Sequence, residues 1–172
     1  MCSLSSASKA CATFTLHQPL HVSFQDDRGG NEVGVSGGLC SGDLRAVWDR
    51  CIIEQGLPGD PYTLARDLRD EVAVTDEDRA TWRASTPTDW ANESFAISLT
   101  PEVGYCVPTG SGCWYDAGNE SLDKGEPERT VIVDRSHIET HTRAVGDRLV
   151  KAGVRLGGLL NRALANEVSA VT

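Results

Sequence analysis

The sequence predicts an all-α fold, on three observations. The long stretch Thr130–Leu164 carries Ile138, His141, Val145, Leu149, Ala152, Leu156, Leu159 and Ala163 at intervals of three or four, the spacing of one helix face. Shorter stretches between Asp43 and Leu99 repeat that period. The pattern leaves room for only one short strand or turn, around Gly104–Val107.

Taken in order, residues 1–12 are rich in Ser, Ala and Cys and show no period. Pro19 lacks a backbone donor, so it starts or kinks a helix. Asp26–Asn31 and Gly34–Gly42 read as loops from their Asp, Gly, Asn and Ser content. Asp43–Gln55 is a helix with Leu44, Val47, Trp48, Cys51 and Ile52 on one stripe, capped by Ser41 and ended by Gly56 and Pro58. Helices follow over Pro61–Val74 and Asp76–Ala84, and another starts at Pro87 with Thr88 or Asp89 as cap and Trp90 in the core. Glu93 reads as a helix-surface charge, with a supporting role behind a metal ligand as the other reading. Thr100–Arg129 is a long loop, in which Cys106 and Cys113 flank a turn-forming segment and are a disulfide candidate. Cys40 and Cys51 have no assignable partner from spacing. In the last helix, Gly146, Gly153, Gly157 and Gly158 each cost ~1 kcal/mol relative to alanine, and His137 and His141 read as a solvated face.

Composition narrows the function. The 172 residues suffice for one domain with a real core. Hydrophobic residues at 40% and charged residues at 24% are ordinary for a globular chain. A net charge of −9 excludes a protein that coats phosphate backbones by bulk attraction. Any attraction to nucleic acid would have to be local, as bound cations provide. No apolar run reaches membrane-spanning length, and residues 1–16 lack the charged-then-apolar pattern of a secretion signal.

The chemistry-bearing residues cluster early. His17-Gln18-Pro19-Leu20-His21 sets two histidines four apart against a proline. Asp27-Arg28-Gly29-Gly30-Asn31 and Val47-Trp48-Asp49 follow. Histidine and aspartate are zinc ligands, but a metal needs three or four of them. Arg45 and Asp49 share a helix face. They read either as a surface ion pair, worth little, or as part of a metal site.

These three segments, with Trp90-Ala91-Asn92-Glu93-Ser94, Lys151-Ala152-Gly153-Val154-Arg155-Leu156 and Leu160-Asn161, occur in the order of the S1/P1 nuclease family, which the chain resembles over about residues 17–164. The resemblance implies a phospholipase C/P1 nuclease-like helical fold, here as a single partial domain over residues 1–172, truncated at its N-terminal side. It implies zinc-dependent hydrolysis of single-stranded DNA or RNA by a metal-bound water, with up to three zinc ions and no further catalytic side chain. His21 and Asp49 match zinc ligands. His17, Gly30 and Asn31 match positions behind the ligands or along the cleft. Cys11, Thr15 and Arg45 stand where the family has His, Asp and His, so fewer zinc ions, or none, and impaired activity are expected. The alternative is a non-catalytic helical binding module that kept the fold. The resemblance also implies a secreted or periplasmic location, no membrane partner, and self-association through apolar helix faces left exposed.

Overall fold

The computed structural model describes residue 13 and residues 15–25, 27–105, 107–109, 112–114 and 130–169. Cys11 and Cys106 lie outside these residues, and the Cys113 side chain is not described, so the candidate pair Cys106–Cys113 falls outside them.

The chain is mainly helical, and each helix starts where its local chemistry dictates. A 3-10 turn, Pro19–Val22, begins with proline at its first position and is closed by the Gln18 side chain accepting from the His21 N–H. The next helix, α1, is α-helical over Leu44–Ala46, a π-turn over Val47–Cys51, and α-helical again over Ile52–Gly56. Its cap is Asp43, not Ser41: the Asp43 carboxylate accepts from the Ala46 N–H. Helix α2, Pro61–Glu71, is capped by Asp60. Helix α3, Asp76–Ala84, has a capping box between Thr75 and Asp78. Helix α4, Pro87–Ser98, has another between Thr86 and Asp89, so Thr86 is the cap, not Thr88 or Asp89. In a capping box the carboxylate three residues into the helix bonds back to the cap, which is Asp89's part here.

Two expectations about strands are corrected. Gly34–Ser36 is a strand, β1, and not part of a loop. The antiparallel hairpin of β2, Val107–Thr109, and β3, Gly112–Trp114, follows. The long helix does not begin at Thr130: Thr130–Ile132 is a strand, β4, parallel to β1 with Val35 opposite Val131. Helix α5 starts only at Arg135 and runs to Ser169.

Helix α5 is the spine, with α1, α2 and α3 packed along it. Gly146 meets the Leu68 side chain of α2, and Gly158 meets Arg83 of α3. Helix α4 packs on the Pro19–Val22 turn. The core joins Leu20, Val33, Leu44, Val47, Trp48, Ile52, Val103, Tyr105, Val133 and Ile138. A disulfide joins Cys40 to Cys51, Cα to Cα 6.0 Å, and ties the loop before α1 to its π-turn.

Candidate active site

A cavity of about 230 Å³ opens beside the Pro19–Val22 turn. Its polar side holds Thr15, His17, Gln18, His21, Asp49 and Arg148; Trp48, Ile53, Val145, Leu149 and Ala152 form its apolar wall. A larger hollow of about 530 Å³ between α2 and α5 contains neither histidine nor cysteine.

His21 and Asp49, distant in sequence, meet at the cavity. His21 Nε2 lies 2.9 Å from Asp49 Oδ1. The same oxygen accepts from Gln18 Nε2 at 2.8 Å. Gln18 therefore does two things: its carbonyl closes the 3-10 turn that carries His21, at 2.9 Å, and its amide nitrogen holds Asp49. Burial alone would raise the Asp49 pKa, but the hydrogen bonds from His21 and Gln18, with the Arg45 charge, bring it below the usual carboxylate value. An ionised Asp49 only accepts, so the His21 proton sits on Nε2. His21 Nδ1 is buried with no hydrogen-bond partner. Arg45 Nε lies 3.9 Å from the other Asp49 oxygen. Asp49 occupies the π-turn of α1. Such turns are rare and frequent at functional sites, and the apolar stripe gives no sign of this one.

His17 plays a different part. It is buried, with Nδ1 2.5 Å from the Thr13 carbonyl and Nε2 2.8 Å from Arg155 Nη1. A carbonyl only accepts and a guanidinium only donates, so His17 is a neutral imidazole with its proton on Nδ1. Burial, reinforced by the Arg148 and Arg155 charges, pushes its pKa down to about 4. Its Nε2 lone pair is already engaged by Arg155.

Behind His17 is a network that the sequence reading missed. Arg148 and Arg155 are both buried, and both donate to Glu93. Arg155 is bidentate, at 3.0 and 2.7 Å. Arg148 also donates to the His17 carbonyl at 3.3 Å, the Trp90 carbonyl at 3.0 Å and Ser94 Oγ at 2.8 Å. Lys151 adds a third cation 3.7 Å from Glu93. Burial would raise the Glu93 pKa, but the bonds from Arg155 and Arg148 outweigh it and hold the carboxyl at about 2. Glu93 is thus no helix-surface charge. The available signal was the spacing of Arg148, Lys151 and Arg155, which places three cations on one face of an otherwise apolar helix.

Gly30 and Asn31 belong to a turn behind the site. Asp27, buried, accepts from Gly30 N at 3.0 Å and from Tyr105 Oη at 2.5 Å. Asn31 Nδ2 donates to the Arg28 carbonyl at 2.8 Å. His137 and His141 do not face solvent. Both are buried, 4.4 Å apart between ring centroids, with His141 4.9 Å from Trp48. Burial, then the neighbouring His141, pushes the His137 pKa down to about 4.

The S1/P1 nuclease family model matches residues 15–165. This chain belongs to the S1/P1 nuclease family. Among curated proteins it is 28% identical over 147 residues to Endonuclease 2 of Arabidopsis thaliana, covering 86% of this chain and 47% of that protein. To Endonuclease 1 of the same plant it is 26% identical over 163 residues, covering 88% and 47%. The chain spans about half the length of the curated relatives it matches.

S1/P1 nucleases depend on zinc, so the donor set must be tested against that ion. Among the described residues, no three His, Cys, Asp or Glu side chains are placed to hold a metal. His21 and Asp49 are bonded to each other through Nε2, and the free Nδ1 lone pair points away from Asp49 across the ring. The third side chain at the carboxylate is a guanidinium, which cannot ligate. The described donor set does not fit zinc.

Proposed function

We propose that residues 1–172 form a single partial nuclease domain whose ancestral chemistry is phosphodiester hydrolysis of single-stranded DNA or RNA, and that its activity is impaired. Membership of the S1/P1 nuclease family supports the chemistry. The observation that carries the impairment is the donor set: among the described residues no third ligand joins His21 and Asp49, and the charged side chain beside them is Arg45. We assign His21 and Asp49 as what remains of the metal site, His17 to holding the turn that bears His21, and Gly30 and Asn31 to the turn behind the cleft. The Cys40–Cys51 disulfide supports a life in an oxidising compartment, as expected for a secreted or periplasmic enzyme. No helix among the described residues is long and apolar enough to cross a membrane.

The test is zinc content of the purified, dialysed protein by elemental analysis, with digestion of single-stranded DNA on the same sample. We expect substoichiometric zinc and little cleavage. Stoichiometric zinc with robust cleavage overturns the impairment and leaves the nuclease chemistry standing.

The second reading, a helical binding module without catalysis, is favoured by the Glu93–Arg148–Arg155 network, whose ion pairs and hydrogen bonds tie α4, α5 and His17 together. It requires folding that chelator does not alter. The apolar cavity wall, with Ile53 and Leu149 only partly covered, supports self-association. Sedimentation showing a strict monomer across concentrations removes that part.

A further inference from the structure

We propose that Arg45 is the resident cation of the His21–Asp49 site, standing where a divalent metal would otherwise neutralise Asp49, and that it keeps such an ion out. The inference deepens the impaired-nuclease reading and rests on it only for the choice of zinc as probe.

Residue 45 lies one helical turn before Asp49, so their head groups share a face. Arg45 Nε faces Asp49 Oδ2 at 3.9 Å while His21 holds Oδ1 at 2.9 Å. The carboxylate thus has a partner on each oxygen. The guanidinium is not a loose surface group: its side chain is 26% exposed, and the turn beneath it is built around it. Arg28, Gly29 and Gly30 have successive φ angles of 56°, 67° and 83°. A left-handed arginine there is uncommon, and such strain persists only where its surroundings fix it. The run brings the Arg28 carbonyl to 3.4 Å from Arg45 Nη1. It also lays Gly29 under the guanidinium, where a Cβ would come within 2.7 Å of Nη1. Asp27, bonded to Gly30 N and Tyr105 Oη, anchors the turn from below.

A guanidinium is a cation that offers donors only, with no lone pair for a metal. A zinc ion placed between His21 and Asp49 would find two donors and this cation beside it. Affinity follows ligand number and geometry, so a two-donor site facing a cation binds weakly.

The experiment is equilibrium dialysis of the whole chain against zinc chloride, with nitrogen chemical shifts of the His21 ring recorded in parallel, for the parent protein, R45H and R45M. R45H removes the charge and adds a third donor on the same face. We expect it to bind zinc at least about 100-fold more tightly than the parent, with the His21 nitrogens moving on zinc addition. R45M removes only the charge, and about a 10-fold gain is expected. D49N in the R45H background should abolish the gain. In the parent, His21 should not respond to zinc, even if ions bind elsewhere. A parent protein whose His21 signals move with stoichiometric zinc overturns the inference. So does a folded R45M that binds no more tightly than the parent. Either result stands apart from DNA cleavage, which tests the nuclease reading on its own.

Discussion

Two ionic clusters flank the same short segment, and they differ in one respect. At His17, a neutral imidazole meets Arg155, and Glu93 is shared by Arg155, Arg148 and Lys151. At His21, an imidazole meets Asp49, and Asp49 is shared with Arg45 and Gln18. The residue types are nearly the same. The first cluster is sealed on its cationic side: the side chains of Arg148 and Arg155 are 5% and 1% exposed, though Glu93 between them keeps 33%. The second is open, with Asp49 at 41%. Sealing turns such a cluster into a structural joint, because every buried donor must find an acceptor. Openness leaves a carboxylate that water, or a ligand, can reach. The four-residue step from His17 to His21 separates a histidine with both ring nitrogens engaged by buried groups from one bonded to a half-exposed carboxylate.

The largest effect should come from breaking the sealed cluster. E93Q keeps the shape but leaves two buried guanidiniums without a counter-charge. We expect a loss of about 4 kcal/mol in urea denaturation. A change below about 1 kcal/mol would mean that water, not Glu93, balances the arginines.

Acid should open the sealed cluster next. The His17 pKa is about 4 in the folded chain against 6.5 when free. Between these values the unfolded chain binds more protons, so stability is full above about pH 6.5 and falls as pH drops towards 4. The loss is about 3 kcal/mol for this one group. Glu93, held near 2 against 4.5, extends the decline below pH 4.5. His137, also near 4, repeats the His17 argument elsewhere in the core. Thermal midpoints measured from pH 7.5 to 4 check this; a flat profile would mean that neither imidazole is neutral by burial.

The two clusters were unequally legible in the sequence. His21 and Asp49 were found because both are ligand types in ordered motifs, and the fold brings them together. Asp76–Ala84 was read to the residue as a short amphipathic helix, and the structure adds the Thr75–Asp78 capping box that starts it. Arg148 and Arg155 were missed because a charged residue in a helix ordinarily faces water. Nothing local says that Glu93, on another helix, will meet them. His137 and His141 were misplaced for the same reason: Arg135, Glu139 and Arg143 beside them look like a solvated face, while Trp48, which covers His141, lies far off in sequence. The strands Gly34–Ser36 and Thr130–Ile132 are too short to show a period of two, and each exists only by pairing with the other.

The disulfide supports the open cluster from one side, since Cys51 ends the π-turn that carries Asp49. Closing an eleven-residue separation is worth about 2 to 3 kcal/mol by loop entropy. Denaturation with and without reductant should show that loss, and C51S should match the reduced protein. If reduction also shifts the His21 ring resonances, the bond helps place the site; if only the midpoint moves, its contribution is confined to stability.

The smallest effect on stability should come from the open cluster itself. D49N removes the charge seen by Arg45 and weakens the bond from His21, yet both partners retain water. Exposed pairs of this kind contribute about 1 kcal/mol or less, so its denaturation midpoint should stay close to that of the parent. Its consequence should appear instead in His21. An amide can present either its carbonyl oxygen or its NH2 to the ring, so Nε2 is no longer held as the donor, and the ring nitrogen shifts should move towards a mixture of tautomers. E93Q should show the reverse pattern, a large stability loss with the His21 tautomer retained in the folded fraction. If both substitutions destabilise equally, the division between a sealed joint and an open site is wrong, and the His17–His21 segment is one cooperative unit.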